Sequence, residues 1–356
     1  MKKRILILFI RYVFLLIFFN INSSCTQKTV SFCPQNLENE FTASESPFSL
    51  SSPTVTFHKD ILYGSDERNV FDIFMPNQTA PSSVLIMIHG GGFVTGNKEN
   101  YYDSYRHRSF INRLLENNIA IISINYRFID LRNKQGILNS LTDAKSALQY
   151  IRHYADMLHV NKSKIMLLGN SAGAATALWI GLNDDMADVH HTNVILREST
   201  RVEGIIAIAT QANYDVKDWH NTVFSTYKDK GFGEDEIKKL LNEYRVFQYY
   251  GTYDRTQFSS EETKRFIEKT NMLKMLSADD PTIYVTTDKF PNDIPITMSE
   301  VFHHPLHVKA IQQQAEKVGA KGIFYCPQID LDTRKGETYE DFIIRKIGHK
   351  KISENL

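Results

Sequence analysis

Five apolar runs, "VLIMI" (84–88), "AIISI" (120–124), "IMLL" (165–168), "GIIAIA" (204–209) and "TIYV" (282–285), constrain this chain more than any other feature. Unbroken apolar runs of this length fit strands covered on both faces. Helical patterns separate them. Leu141, Ala144, Leu148, Ile151, Ala155 and Leu158 recur at steps of three and four, which puts them on one helix face, with Ser140 and Asp143 placed as a capping pair. Strands alternating with helices predict an α/β domain with a largely parallel central sheet flanked by helices. Upstream, "TVTFHKDILYG" and "NVFDIFMP" alternate apolar with polar residues and read as antiparallel edge strands. Val308, Ile311, Ala315 and Val318 mark one more helix before a last strand, "GIFYC".

The rhythm breaks between 215 and about 279. That stretch holds aromatics, charges and the amphipathic segments "EDEIKKLLNEYRVFQYY" and "EETKRFIEKTNMLKML", with no evident strand. It reads as a helical insertion over one end of the sheet, within a domain running from 54 to 356.

Residues 1–25, "MKKRILILFIRYVFLLIFFNINSSC", have the basic start, apolar stretch and small-residue close of a secretory signal. An uncleaved anchor is the alternative. Ser23-Ser24-Cys25 is similar to a bacterial lipobox, which makes Cys25 a lipidation site and the chain an exported, membrane-anchored lipoprotein; a plain signal cut nearby would leave it secreted or periplasmic. Residues 26–53 are polar and aperiodic and read as a flexible tether. Formal charge is zero overall, and the basic leader leaves the remainder mildly acidic, which argues against nucleic acid as partner. Cys33 and Cys326 would be free to pair in an exported protein, and the sequence leaves that open. Their spacing is unlike a zinc site, so no metal is expected.

Two motifs carry chemistry. "GNSAG" (169–173) follows a strand and opens a helix, the turn in which a serine takes a strained, exposed conformation. This makes Ser171 a candidate nucleophile. "HGGGF" (89–93) follows the first buried run, and N–H groups of Gly91 and Gly92, with that of Ala172 at the helix start, suit an oxyanion hole. His89 is expected to prop this glycine loop.

"HGGGF", then "INYR" (124–127), then "GNSAG" resemble the alpha/beta-hydrolase superfamily, specifically carboxylesterases of the hormone-sensitive-lipase and feruloyl/acetyl-xylan-esterase-like (BD-FAE-like) kind. The resemblance is specific over about residues 70 to 215. It implies an eight-stranded, mostly parallel sheet, a cap insertion, the order Ser, Asp, His along the chain, and cofactor-free hydrolysis of short acyl or aryl esters.

The later part departs from that pattern. The family acid would fall near Phe290, and Asp288 and Asp293 are the two acids on that loop; either would orient an imidazole or serve as a turn carboxylate. Asp279 and Asp280 lie at the wrong end of the strand. The loop after the last strand, where the resemblance places the histidine, offers nothing before His349. "FHHPLH" (302–307) is the other source. Of its adjacent histidines at most one serves Ser171, and His304, directly before Pro305 and a helix start, is favoured; the alternative is that both only cap or pack.

Two functions follow. One is an exported serine esterase acting on a small or carbohydrate-linked ester, with Trp219, Tyr249, Tyr250 and Tyr253 shaping the pocket or merely packing the cap. The other is an inactive hydrolase-fold protein that binds a ligand at the old site.

Overall fold

The computed structural model describes residues 41–130, 132, 134–252 and 255–348. The leader, Cys25, Cys33, the first part of the tether, Tyr253 and His349 lie outside the described residues.

Nine strands form one sheet: β1 (Val55–Leu62), β2 (Val70–Pro76), β3 (Ser82–Ile88), β4 (Ile119–Ile124), β5 (Val160–Asn170), β6 (Gly204–Ile208), β7 (Thr282–Thr286), β8 (Gly322–Cys326) and β9 (Leu331–Asp332). Their spatial order is β1-β2-β4-β3-β5-β6-β7-β8-β9. From β4 to β8 neighbours run parallel; β1 with β2, β2 with β4 and β8 with β9 are antiparallel. The five apolar runs became β3 to β7, and every residue of β3 and β4 is buried. Only β1 is an edge on that side. β2 lies inside, because Phe71, Ile73 and Phe74 are fully buried. The two-residue β9 is one strand more than the resemblance implied.

The helices are α1 (Tyr105–Leu115), α2 (Leu138–His153), α3 (Ala172–Leu182), α4 (Glu234–Leu241), α5 (Glu243–Tyr250), α6 (Glu261–Thr270), α7 (Met298–His303), α8 (Pro305–Val318) and α9 (Tyr339–Ile347), with shorter turns between. The continuous pattern expected over 234–250 breaks at Asn242, whose φ of 61° ends α4 and whose side chain caps α5. Ser140 and Asp143 do not cap α2. The helix starts earlier, so both are buried inside its first turns and hold Arg127 instead: Ser140 Oγ donates to the Arg127 carbonyl at 2.5 Å, and Asp143 takes the guanidinium at 2.6 and 2.8 Å. Residues 41–53 are not a free tether. Ser44 N–H donates to the Phe57 carbonyl, and the Phe48 ring lies 5.2 Å from Phe74.

In this order β4 and β5 leave β3 on opposite sides. The crevice beyond the carboxyl ends of strands at such a reversal is where open α/β sheets bind ligands. Here it receives the loops after β3, β4 and β5, the three loops that carry "HGGGF", "INYR" and "GNSAG".

Candidate active site

Ser171 sits between β5 and α3 with φ 53° and ψ −119°, a region that L-residues rarely occupy. Its N–H is held by the Ile208 carbonyl at 2.9 Å. The flanking glycines are required by contact: a Cβ on Gly173 would lie 1.9 Å from the Ile88 carbonyl oxygen, and one on Gly169 would lie 2.1 Å from that of Gly173. The turn therefore packs against the end of β3 and lifts the serine hydroxyl over the sheet.

Ser171 Oγ lies 2.7 Å from Nε2 of His303. The other ring nitrogen, Nδ1, is 2.8 Å from the Ser299 carbonyl and 3.3 Å from Ser299 Oγ. A carbonyl only accepts, so Nδ1 carries the proton and Nε2 faces the serine as acceptor. Burial lowers the His303 pKa to about 4, the Lys289 ammonium pushes the same way, and the Ser299 carbonyl opposes them. The imidazole is thus neutral near pH 7. Phe290, where the family acid would fall, stacks beside it with centroids 6.2 Å apart.

The expectation that His304 faces Ser171 is corrected. His304 is buried and caps α8: its Nδ1 accepts from Leu306 N–H at 3.1 Å and its Nε2 donates to the Asp293 carbonyl at 2.8 Å. Both ring nitrogens are spent on main chain. Neither Asp293 nor Asp288 reaches His303. Asp293 meets the wrong histidine through its backbone, and the Asp288 charge acts on Cys326 and Tyr339. A main-chain oxygen holds Nδ1, and no carboxylate among the described residues does.

Sequence reasoning missed what fixes α7. Gln211 Nε2 donates to the Phe302 carbonyl at 2.8 Å; the buried His307 accepts from Ala212 N–H at 3.2 Å and donates to the Val301 carbonyl at 2.9 Å. The loop after β6 is thereby tied to the two residues before His303. The available signal was the third histidine of "FHHPLH", one helical turn past the first.

On the other side of Ser171, Gly91 and Gly92 take φ of 106° and 58°. The Gly91 carbonyl accepts from Val94 and Thr95 N–H, and the Gly92 carbonyl accepts from Arg245 of α5 at 2.6 Å. The N–H groups of Gly91, Gly92 and Ala172 donate to no other described residue. His89 stacks on Tyr126 at 4.3 Å, gives Nδ1–H to the Gly90 carbonyl and is held neutral by burial, with a pKa of about 4. Tyr126 OH in turn donates to the His89 carbonyl at 2.7 Å.

A cavity of about 500 Å³ borders this wall, lined by Gly90, Gly91 and Asn170 next to the serine turn and also by Arg106, His107 and Tyr339; Ser171 and His303 themselves do not line it. The insertion's aromatics do not line it. Trp219 packs edge-on to His307 and Phe302, Tyr249 stacks on Phe302, and Tyr250 OH donates to Asp215. Cys326 is free and buried. No cluster of three or more His, Cys, Asp or Glu among the described residues could hold a metal ion, and no helix among them is long and apolar enough to cross a membrane.

A mostly parallel sheet with a sharp strand-to-helix serine turn and a histidine at the end of the short helix α7 defines an alpha/beta-hydrolase of the esterase kind. Residues 71–306, well over half of the chain, match the BD-FAE family, and the chain belongs to it. Among solved structures it is similar to a truncated carbohydrate esterase from gut microbiota (17% identity, TM-score 0.55, covering 84% of this chain and 99% of that one). It is also similar to a bifunctional GH43-CE protein of Bacteroides eggerthii (18%, TM-score 0.55, 82% and 38%). A curated relative, probable carboxylesterase 3 of Arabidopsis thaliana, is 25% identical over 146 residues, 38% of this chain and 44% of that protein. The chain spans less than half the length of the curated relatives it matches.

Proposed function

We propose that this protein hydrolyses a carboxylic ester through Ser171, with His303 as its base. The observation that carries the reading is the 2.7 Å contact between Ser171 Oγ and an Nε2 that is unprotonated because Nδ1 is bound to a carbonyl. Attack of Oγ on the ester carbon passes its proton to Nε2, and the carbonyl oxygen becomes an oxyanion. The free N–H groups of Gly91, Gly92 and Ala172 stabilise that charge. The imidazolium then returns the proton to the leaving alcohol, and water repeats the cycle on the acyl-serine. No cofactor enters. The Ser299 carbonyl does the orienting that a carboxylate does in a full triad; it fixes the tautomer but offers less charge to balance the imidazolium. A small or carbohydrate-linked ester is the substrate class, in line with the carbohydrate esterase whose fold the chain shares. We further propose export and lipid anchoring at Cys25, which radiolabelled palmitate incorporated by wild type and lost in Cys25→Ala would support.

The test is labelling with a fluorophosphonate probe. Ser171→Ala should abolish labelling, His303→Ala should slow it by about 10²–10⁴, and His304→Asn, which keeps a capping side chain, should still label. The missing carboxylate favours a second reading, an inactive ligand-binding protein. Wild type that stays unlabelled beside a reactive control esterase would establish it.

A further inference from the structure

The cavity that reaches the serine turn through Gly90, Gly91 and Asn170, with neither Ser171 nor His303 in its wall, is charged on one side only. No Asp or Glu lines it, and its outer wall carries Arg106 and His107 in the first turn of α1. Nearby acids are already engaged: Glu340 and Asp341 by Arg113 at 2.5 and 2.6 Å, Glu99 by Lys98, and Asp103 by His107 at 3.4 Å. Arg106 itself pairs with no carboxylate among the described residues and touches the Tyr339 phenol, a neutral neighbour on the cavity rim. Across the site, Lys289 stands beside His303 and over the Phe290 ring, likewise without an acidic partner among the described residues. Asp288 and Glu340 both act on Tyr339 at the rim, and neither lines the cavity. A guanidinium presented to a cavity with no protein anion opposite it is a site for a substrate anion, and its planar fork matches a carboxylate.

We propose that the ester handled at Ser171 carries a free carboxylate, which Arg106 receives at the outer end of this cavity. The proposal rests on the hydrolase reading of Ser171. Arg106 offers one guanidinium, and His107 is turned to Asp103, which suits a carboxylate monoanion better than a phosphate. Lys289 adds attraction without contact, by raising the potential over the dyad.

Binding and turnover are tested separately on the full chain. Calorimetry compares 3-acetamidobenzoate with 3-acetamidobenzamide, two non-hydrolysed probes that differ only in charge. The carboxylate should bind at least about tenfold tighter, as expected for a charge-assisted pair. That preference should fall below about threefold in Arg106→Gln and persist in Arg132→Gln, a control at an exposed arginine elsewhere. Kinetics then compare 3-acetoxybenzoate with 3-acetoxybenzamide, and on the acyl side mono-4-nitrophenyl succinate with its methyl ester. A kcat/KM preference for the charged member of either pair, lost in Arg106→Gln, supports the proposal. Turnover of charged and neutral members alike, or a preference that survives Arg106→Gln, overturns it and leaves the hydrolase reading standing. Arg106-dependent binding of the benzoate without Ser171-dependent turnover supports carboxylate recognition and removes the hydrolysis.

Discussion

In the proposed mechanism His303 must be neutral to take the proton of Ser171, so its pKa would set the acid limb of the rate. Burial and Lys289 place that pKa near 4, against 6.5 for a free imidazole. The expected kcat/KM therefore rises with pH through about 4 and is already flat at pH 6; a limb centred near 6.5 on an acid-stable ester would contradict the burial of this ring. Ser299 supplies two acceptors to Nδ1, and the closer is its main-chain oxygen. Ser299→Ala should accordingly cost less than about tenfold in kcat, since the hydroxyl contact at 3.3 Å is the weaker of the two. A loss of about 10³ would mean that the hydroxyl carries the orientation. Why the sequence pointed to His304 is now plain. The same proline that marks a helix start also recruits the preceding side chain as its cap, and a ring that caps cannot serve the elbow. His303 and His304 are one residue apart at the join of α7 and α8, and which ring faces Ser171 depends on how α7 is seated, a tertiary fact. The serine turn and the glycine loop were legible for the opposite reason: only glycine tolerates carbonyl oxygens at 1.9 and 2.1 Å from its would-be Cβ, as at Gly173 and Gly169, or at 2.0 Å, as at Gly91, so the steric demand is written into composition.

Elements meet at Arg127. Asp143 of α2 accepts its Nε and Nη2, its backbone N–H and the side chain of Asn69 next to β2, so one buried carboxylate ties α2 to the ends of β2 and β4. Asp143→Ala removes the carboxylate that holds the Arg127 guanidinium and backbone N–H and leaves Asn69 Nδ2 only its longer bond to Tyr63 OH. Because Arg127 is itself partly exposed, the expected loss is about 2–3 kcal/mol, at or below the low end for breaking a buried pair, read as a lower urea midpoint. A change under 0.5 kcal/mol would show that solvent replaces the pair. The strands were readable because continuous apolar runs admit few alternatives once helices separate them. The fixing of "INYR" through Asp143 was not, because a Ser-x-x-Asp spacing looks the same whether it caps a helix or lies a turn inside one. The insertion showed the same limit. Its amphipathic segments were visible, but Trp219 and Tyr249 pack against Phe302 of α7 and Tyr250 packs on Phe258 and Phe266, away from the cavity at the glycine loop, and only three-dimensional contact distinguishes those roles.

For the molecule as a whole, the imidazoles that burial depresses act together, His89, His303, His304 and His307 among them. Burial lowers His89 and His303 to about 4 and His307 to about 3, from 6.5 when unfolded. Between those values the unfolded chain binds more protons, so stability is fully present above pH 6.5 and is lost as pH falls through about 4. Asp72, Asp215 and Asp280, whose pKa values burial raises, act with the opposite sign and soften the slope. The net expectation is a denaturant midpoint clearly lower at pH 4.5 than at pH 7; equal midpoints would mean that these rings admit water. Finally, the base arises before α8, so every group proposed to make or break bonds precedes residue 304. The described residues after α8, with β8, β9 and α9, contribute Tyr339 to the rim of the cavity and no group to the proposed proton path. Arg106 and Ser171 thus travel on the same stretch of chain, so exchanging the carboxyl-terminal segment would reshape one wall of the cavity through Tyr339 while the proposed reaction and the proposed carboxylate receptor both stay put.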